Sequence, residues 1–106
     1  MTIKRIKKLR VNSVIFGVKW DSEMGGASVD YANEIITIGT KYGELQTLDN
    51  VCHELWEIVA TELNVRLARP DCCDDFIFVY DHRQHDTMSA MFAGLLAQFI
   101  PSTVCT

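Results

Sequence analysis

The sequence predicts one α+β domain, a small antiparallel sheet packed with two helices, and three observations carry that prediction. Apolar residues alternate with a period of two over parts of the first forty residues, then recur at three- and four-residue steps from Leu45 onward. A short apolar run at residues 76–80 (Phe-Ile-Phe-Val-Tyr) separates this stripe from a second one of helical spacing. Finally, the chain has 106 residues, 48% of them hydrophobic and 23% charged, with two prolines and six glycines. That is ordinary globular composition with room for a single modest core. It excludes a collagen-like repeat, a long disordered chain and a multidomain assembly.

Residues 1–10 read as a basic lead-in and residues 11–100 as the body of the domain. Residues 3–11 either form an early strand or lead into the next one. Residues 13–20 are rich in β-branched and aromatic side chains, and Val14, Phe16, Val18 and Trp20 fall on one face of a strand. Residues 23–27 contain a Gly-Gly pair and read as a turn. Residues 34–38 form a second strand, closed by Gly39. Together these predict an antiparallel hairpin or meander. Leu45, Leu48, Cys52, Leu55, Val59 and Leu63 then mark an amphipathic helix of about five turns, with Asn64 as its stop. Residues 66–75, which hold Pro70 and a run of Asp and Cys, read as a loop, and residues 76–80 as a short strand. Asp81 and Gln84 occupy the two positions of a capping box. The helix they start carries Met88, Met91, Phe92, Leu95, Leu96 and Phe99 on one stripe and ends at Pro101.

Charge narrows the function classes. The net charge is −4, but Lys4, Arg5, Lys7, Lys8 and Arg10 supply five of the ten basic residues. From residue 11 onward, five basic residues face fourteen acidic ones, so the body of the domain repels phosphate and nucleic acid is not the expected partner. The lysines read as protection for a strand edge. The four cysteines form no C-x-x-C pair: Cys72 and Cys73 are adjacent, Cys52 lies in the helical pattern, and Cys105 is next to last. This placement predicts reduced thiols without an assigned role. No apolar run approaches the ~18 residues of a spanning helix, and the run at residues 14–18 is too short for a secretory signal. The expectation is a cytoplasmic, soluble protein that binds a peptide or protein and no membrane.

The chemistry concentrates in His53-Glu54-Leu55-Trp56-Glu57 on the first helix. In H-E-x-x-H, ligands at i and i+4 project from one helix face and the intervening Glu acts as a base. Here Glu57 stands where the second His would be, and carboxylate oxygen also binds zinc. His53 and Glu57 lie about 120–180° round the helix from the apolar stripe, side by side. The simpler reading of this pair is a solvated i,i+4 contact. His85 heads the apolar stripe of the second helix and is expected to point inward, either as a hydrogen-bonded core histidine or as a third ligand. His82, one turn earlier, ranks second, and Asp86 is a weaker candidate. Met88 and Met91 read as core filler, and Trp56 and Ala60 as contacts to the second helix.

On these residues the chain resembles the minimal zincin-like metallopeptidase domains encoded by phages and prophages. The matching features are Asp30-Tyr31 before the apolar residues 35–38, His53-Glu54 with Trp56, and His85-Asp86 leading into residues 91–95. The resemblance spans roughly residues 11–100 and implies a zinc-dependent hydrolase with His53 as ligand, Glu54 as general base and His85 as third ligand. Glu57 departs from the family pattern. If Glu57 ligates, the set of two His and one carboxylate suits zinc, and also iron(II) or manganese. An extended peptide substrate would then lie on the strand at residues 34–38. If the site has decayed, the domain is a non-catalytic module, for example a small phage-encoded inhibitor that binds a host protein.

Overall fold

A computed structural model describes residues 2–64, 66–68 and 76–101 of the chain. It has six strands and two helices in the order β1 (Lys8–Val11), β2 (Val14–Asp21), β3 (Ala27–Asp30), β4 (Ile35–Gly39), α1 (Glu44–Glu62), β5 (Arg66–Ala68), β6 (Phe76–Phe78) and α2 (His82–Ala97). The α+β class is therefore the observed one. The first four strands form one sheet, ordered β1-β2-β4-β3, and β5 pairs with β6 in a separate two-stranded ribbon.

The sheet corrects the expected antiparallel meander. β1 and β2 are antiparallel, with Leu9 opposite Phe16, and β3 and β4 are antiparallel, with Val29 opposite Ile36. In between, β2 and β4 run parallel, with Val18 opposite Ile36 and Trp20 opposite Ile38. The chain leaves β2, crosses to the outer edge to make β3, and returns between them as β4. The Gly-Gly turn therefore leads into β3, a strand that the sequence reading does not assign. Asp30 fixes the β3–β4 turn by accepting from the backbone N–H of Asn33 at 3.1 Å and from its side-chain amide at 2.8 Å.

Period-two alternation gives the sheet one buried face. Leu9, Val11, Phe16, Val18, Ile36 and Ile38 are all buried there, against Val51, Leu55, Ile58 and Val59 of α1. Met88, Leu95 and Phe99 from α2 and its end complete the core, so Met88 is core filler as read. The basic lead-in is docked rather than loose. Ile3 is buried, the Lys4 N–H donates to the Phe99 carbonyl at 2.7 Å, and the Arg5 guanidinium lies over Trp20 and pairs with Glu44 at 2.8 Å.

The helices start and stop where local chemistry dictates. Asp81 and Gln84 form the expected capping box at α2, each side chain taking the other's backbone N–H at 2.9 Å. Asn64 follows α1 in the left-handed region at φ 56°, which Asn tolerates better than most residues. One loop expectation fails: residues 66–68 are strand β5, paired with β6 through Arg66–Phe78 and Ala68–Phe76. Pro70, Cys72, Cys73 and Cys105 lie outside the described residues.

Candidate metal centre

The buried arc of α1 is not the one the leucines suggest. Leu45 is 82% exposed, while Thr47, Asn50, Val51, Glu54, Leu55, Ile58 and Val59 face inward. The helix is rolled toward Val51 and Ile58, which carries three polar residues, Thr47, Asn50 and Glu54, into the buried arc. Asn50 is the positioning residue that the sequence reading missed. Its side-chain amide donates to the Gly25 carbonyl at 2.9 Å and the Gly39 carbonyl at 3.0 Å, and its oxygen accepts from Gln46 at 3.1 Å. A buried donor set of this kind clamps the helix to the loop before β3 and to the end of β4. The available signal was an Asn one turn before the histidine in an otherwise apolar and acidic helix.

One turn on, the clamp presents the candidate site. One donor atom each from His53, Glu54 and Glu57 lie within 4.8 Å of one another. His53 Nε2 stands 3.5 Å from Glu57 Oε2. Ligands about 2.1 Å from a tetrahedral ion are about 3.4 Å apart, so this pair matches the spacing of two ligands to one metal. One imidazole and two carboxylates are donor types that bind divalent metals, and they do not by themselves select one. Burial grades across the group: the His53 side chain is 69% exposed, that of Glu57 28%, and Glu54 is buried. Beside it, Gly26, Ala27, Asp49 and Asn50 line a small hollow of about 270 Å³ that His53 and Glu54 also border. The group thus sits between α1 and the start of β3, open to solvent on the His53 side.

The structure does not bring His85 into this group. His85 is exposed rather than inward, and its ring stacks on Tyr80 at 5.9 Å. Trp56, Ala60 and Met88 share a hollow of about 310 Å³ with these two rings, so the α1 residues that face His85 are Trp56 and Ala60, not His53. The physical reason lies in the capping box. It starts α2 at His82, so His85 falls in the first turn, where the helix has only begun to cover α1. His82 is further out, at 89% side-chain exposure, and contacts Asp86 at 3.5 Å. Trp56 packs on α2 as expected, stacked on Phe92 with ring centroids 4.3 Å apart.

The expected peptide edge also moves. β4 is covered on both sides by β2 and β3, so residues 34–38 offer no free edge. Among the described residues the outer strands of this sheet are β1 and β3, and β3 is the one beside His53 and Glu54. No protein-family model matches the chain, and no curated protein or solved structure is significantly similar to it. Among the described residues, no helix is long and apolar enough to cross a membrane.

Proposed function

We propose that this chain is a metal-dependent hydrolase of peptides, with His53 and Glu57 as ligands and Glu54 as general base. The observation that carries the reading is the 3.5 Å approach of His53 and Glu57 with Glu54 in the same donor group. A bound zinc, iron(II) or manganese ion would supply a Lewis acid for the scissile carbonyl and a water of lowered pKa. The buried carboxylate of Glu54 takes the proton of the attacking water and returns it to the leaving amine. The substrate is an extended peptide pairing with the outer edge of β3, which runs past the group at Ala27. The resemblance to minimal zincin-like domains supports the same roles for His53 and Glu54.

The test is elemental analysis by mass spectrometry of the purified protein after reconstitution and dialysis, beside His53→Ala and Glu57→Ala. Near-stoichiometric metal that both variants lose supports the site. Absence of metal from the unsubstituted protein overturns it. Glu54→Gln then separates binding from chemistry: it should keep the metal and lose hydrolysis of a peptide library.

The 69% exposure of His53 and the absence of His85 from the donor group favour a second reading, a non-catalytic protein-binding module such as an inhibitor. In that case His53 and Glu57 are an ordinary helix pair, worth about 0.2–0.5 kcal/mol. Partner capture would then survive His53→Ala, and no metal would copurify.

A further inference from the structure

Another hollow lies away from the candidate metal centre, along the opposite edge of the sheet. It is a groove of about 710 Å³ between β1 and α2. Lys8, Arg10 and Ile15 line one side, and Ala90, Gly94 and Leu95 the other. Small residues on the helix keep it open, and among the described residues no carboxylate lines it.

The groove runs along strand backbone whose hydrogen-bonding groups face outward. β1 pairs with β2 on one side only. In an antiparallel ladder alternate residues bond the partner strand, and the Val18 N–H donates to the Lys7 carbonyl. The groups of Lys8 and Arg10 therefore face away from β2. At Arg10 they are already met by an amide: the backbone N–H donates to Gln98 Oε1 at 2.8 Å, and Gln98 Nε2 donates to the Arg10 carbonyl at 2.8 Å. These are the two bonds a residue of an added strand would make. Gln98 thus occupies the place that a peptide group of an added strand would take beside Arg10.

We propose that the groove binds an extended acidic peptide segment, which displaces the Gln98 amide and joins the sheet beside β1 as a fifth strand. Charge selects the occupant. On an added strand, alternate residues fall beside Lys8 and Arg10, where carboxylates make favourable cross-strand pairs. The residue between them points to the side of Leu9 and Val11, toward Leu95, and is apolar. The recognised pattern is acidic–apolar–acidic, carried in strand conformation. The remainder of the chain, with its acidic excess, repels such a segment elsewhere.

The test is fluorescence anisotropy with a labelled seven-residue peptide alternating Glu and Val, beside one alternating Lys and Val. The Glu peptide should bind the unsubstituted protein, more weakly as salt rises, and the Lys peptide should not. Gln98→Ala removes the internal competitor and should tighten binding by about threefold to thirtyfold, the worth of one or two hydrogen bonds. Arg10→Glu leaves the backbone groups in place and should abolish binding without moving the thermal midpoint. A proline at the centre of the peptide should also abolish it. Failure of the Glu peptide to bind both the unsubstituted protein and Gln98→Ala at millimolar concentration would overturn the proposal. So would equal binding of the Lys peptide, or concentration-dependent dimerisation through this edge in place of peptide binding.

Discussion

Asn50 decides how α1 sits, and so where His53, Glu54 and Glu57 point. Its amide faces three carbonyls, of Gly25, Gly26 and Gly39, the longest contact being 3.4 Å. Asn50→Ala leaves buried carbonyls without a donor and should cost about 1–3 kcal/mol in chemical denaturation. Asn50→Asp should cost more, because a carboxylate brings no N–H and adds negative charge against the same oxygens. If the two variants lose equal stability, the amide is filling space and not clamping the loop. Cys52 gives a second test at this scale. Burial raises its thiol pKa, and Asp49 raises it further. A folded-state pKa above the unfolded value favours the fold below the ordinary thiol range, and that contribution fades as pH rises through the folded value. Iodoacetamide at pH 8, followed by peptide mapping, should therefore modify Cys52 more slowly in the native protein than in urea, with the native rate climbing only at higher pH.

Each element of the fold stands in a different relation to its sequence. α2 was legible to the residue at its start, because a capping box is a local arrangement of four neighbouring residues. The existence of α1 was legible from apolar spacing, but its roll was not. Leu45 is apolar and exposed, while Glu54 is charged and buried; that choice depends on what the sheet offers, not on the helix. His85 was misjudged for the same reason: its stripe is right, but near the start of α2 the stripe meets Tyr80 and Trp56 instead of the donor group. The entry to α1 carries its own constraint. Gly43 caps the helix at φ 91° and ψ 178°, a region essentially confined to glycine. Its carbonyl accepts both the Thr47 N–H at 3.0 Å and the Thr47 hydroxyl at 2.8 Å. Gly43→Ala should cost about 1–3 kcal/mol, seen as a lower thermal midpoint, with the loss undiminished by added metal.

At the scale of the whole molecule, the parallel pairing of β2 with β4 is the feature that no local pattern announces. Alternation fixes which residues of a strand share a face, and Phe16 and Val18 are buried as it implies, although Val14 at the start of the same face is 38% exposed. Alternation does not say which strand lies beside which, since a parallel and an antiparallel neighbour bury the same side chains. The order is set where the crossing chain passes the end of β4. There the Gly39 N–H donates to the Gly26 carbonyl at 2.8 Å, the Thr40 N–H to the Asp21 carbonyl at 3.0 Å and the Lys41 N–H to the Met24 carbonyl at 3.2 Å. A Cβ on Gly39 would lie 2.3 Å from the carbonyl oxygens of both Gly26 and Met24, and backbone on both sides leaves nothing flexible to yield. Gly39→Ala should therefore force the 21–26 crossing away from β4, loosening β3, the Asn50 clamp and the hollow beside His53 together. Its cost should exceed that of an ordinary surface change by several kcal/mol. Gly26→Ala, where a Cβ meets nothing within 4 Å, is the control and should stay within about 0.5 kcal/mol of the unsubstituted protein. Equal stability of the two variants in urea denaturation would mean that the crossing does not fix the strand order, and the placement of the candidate site beside β3 would lose its structural basis.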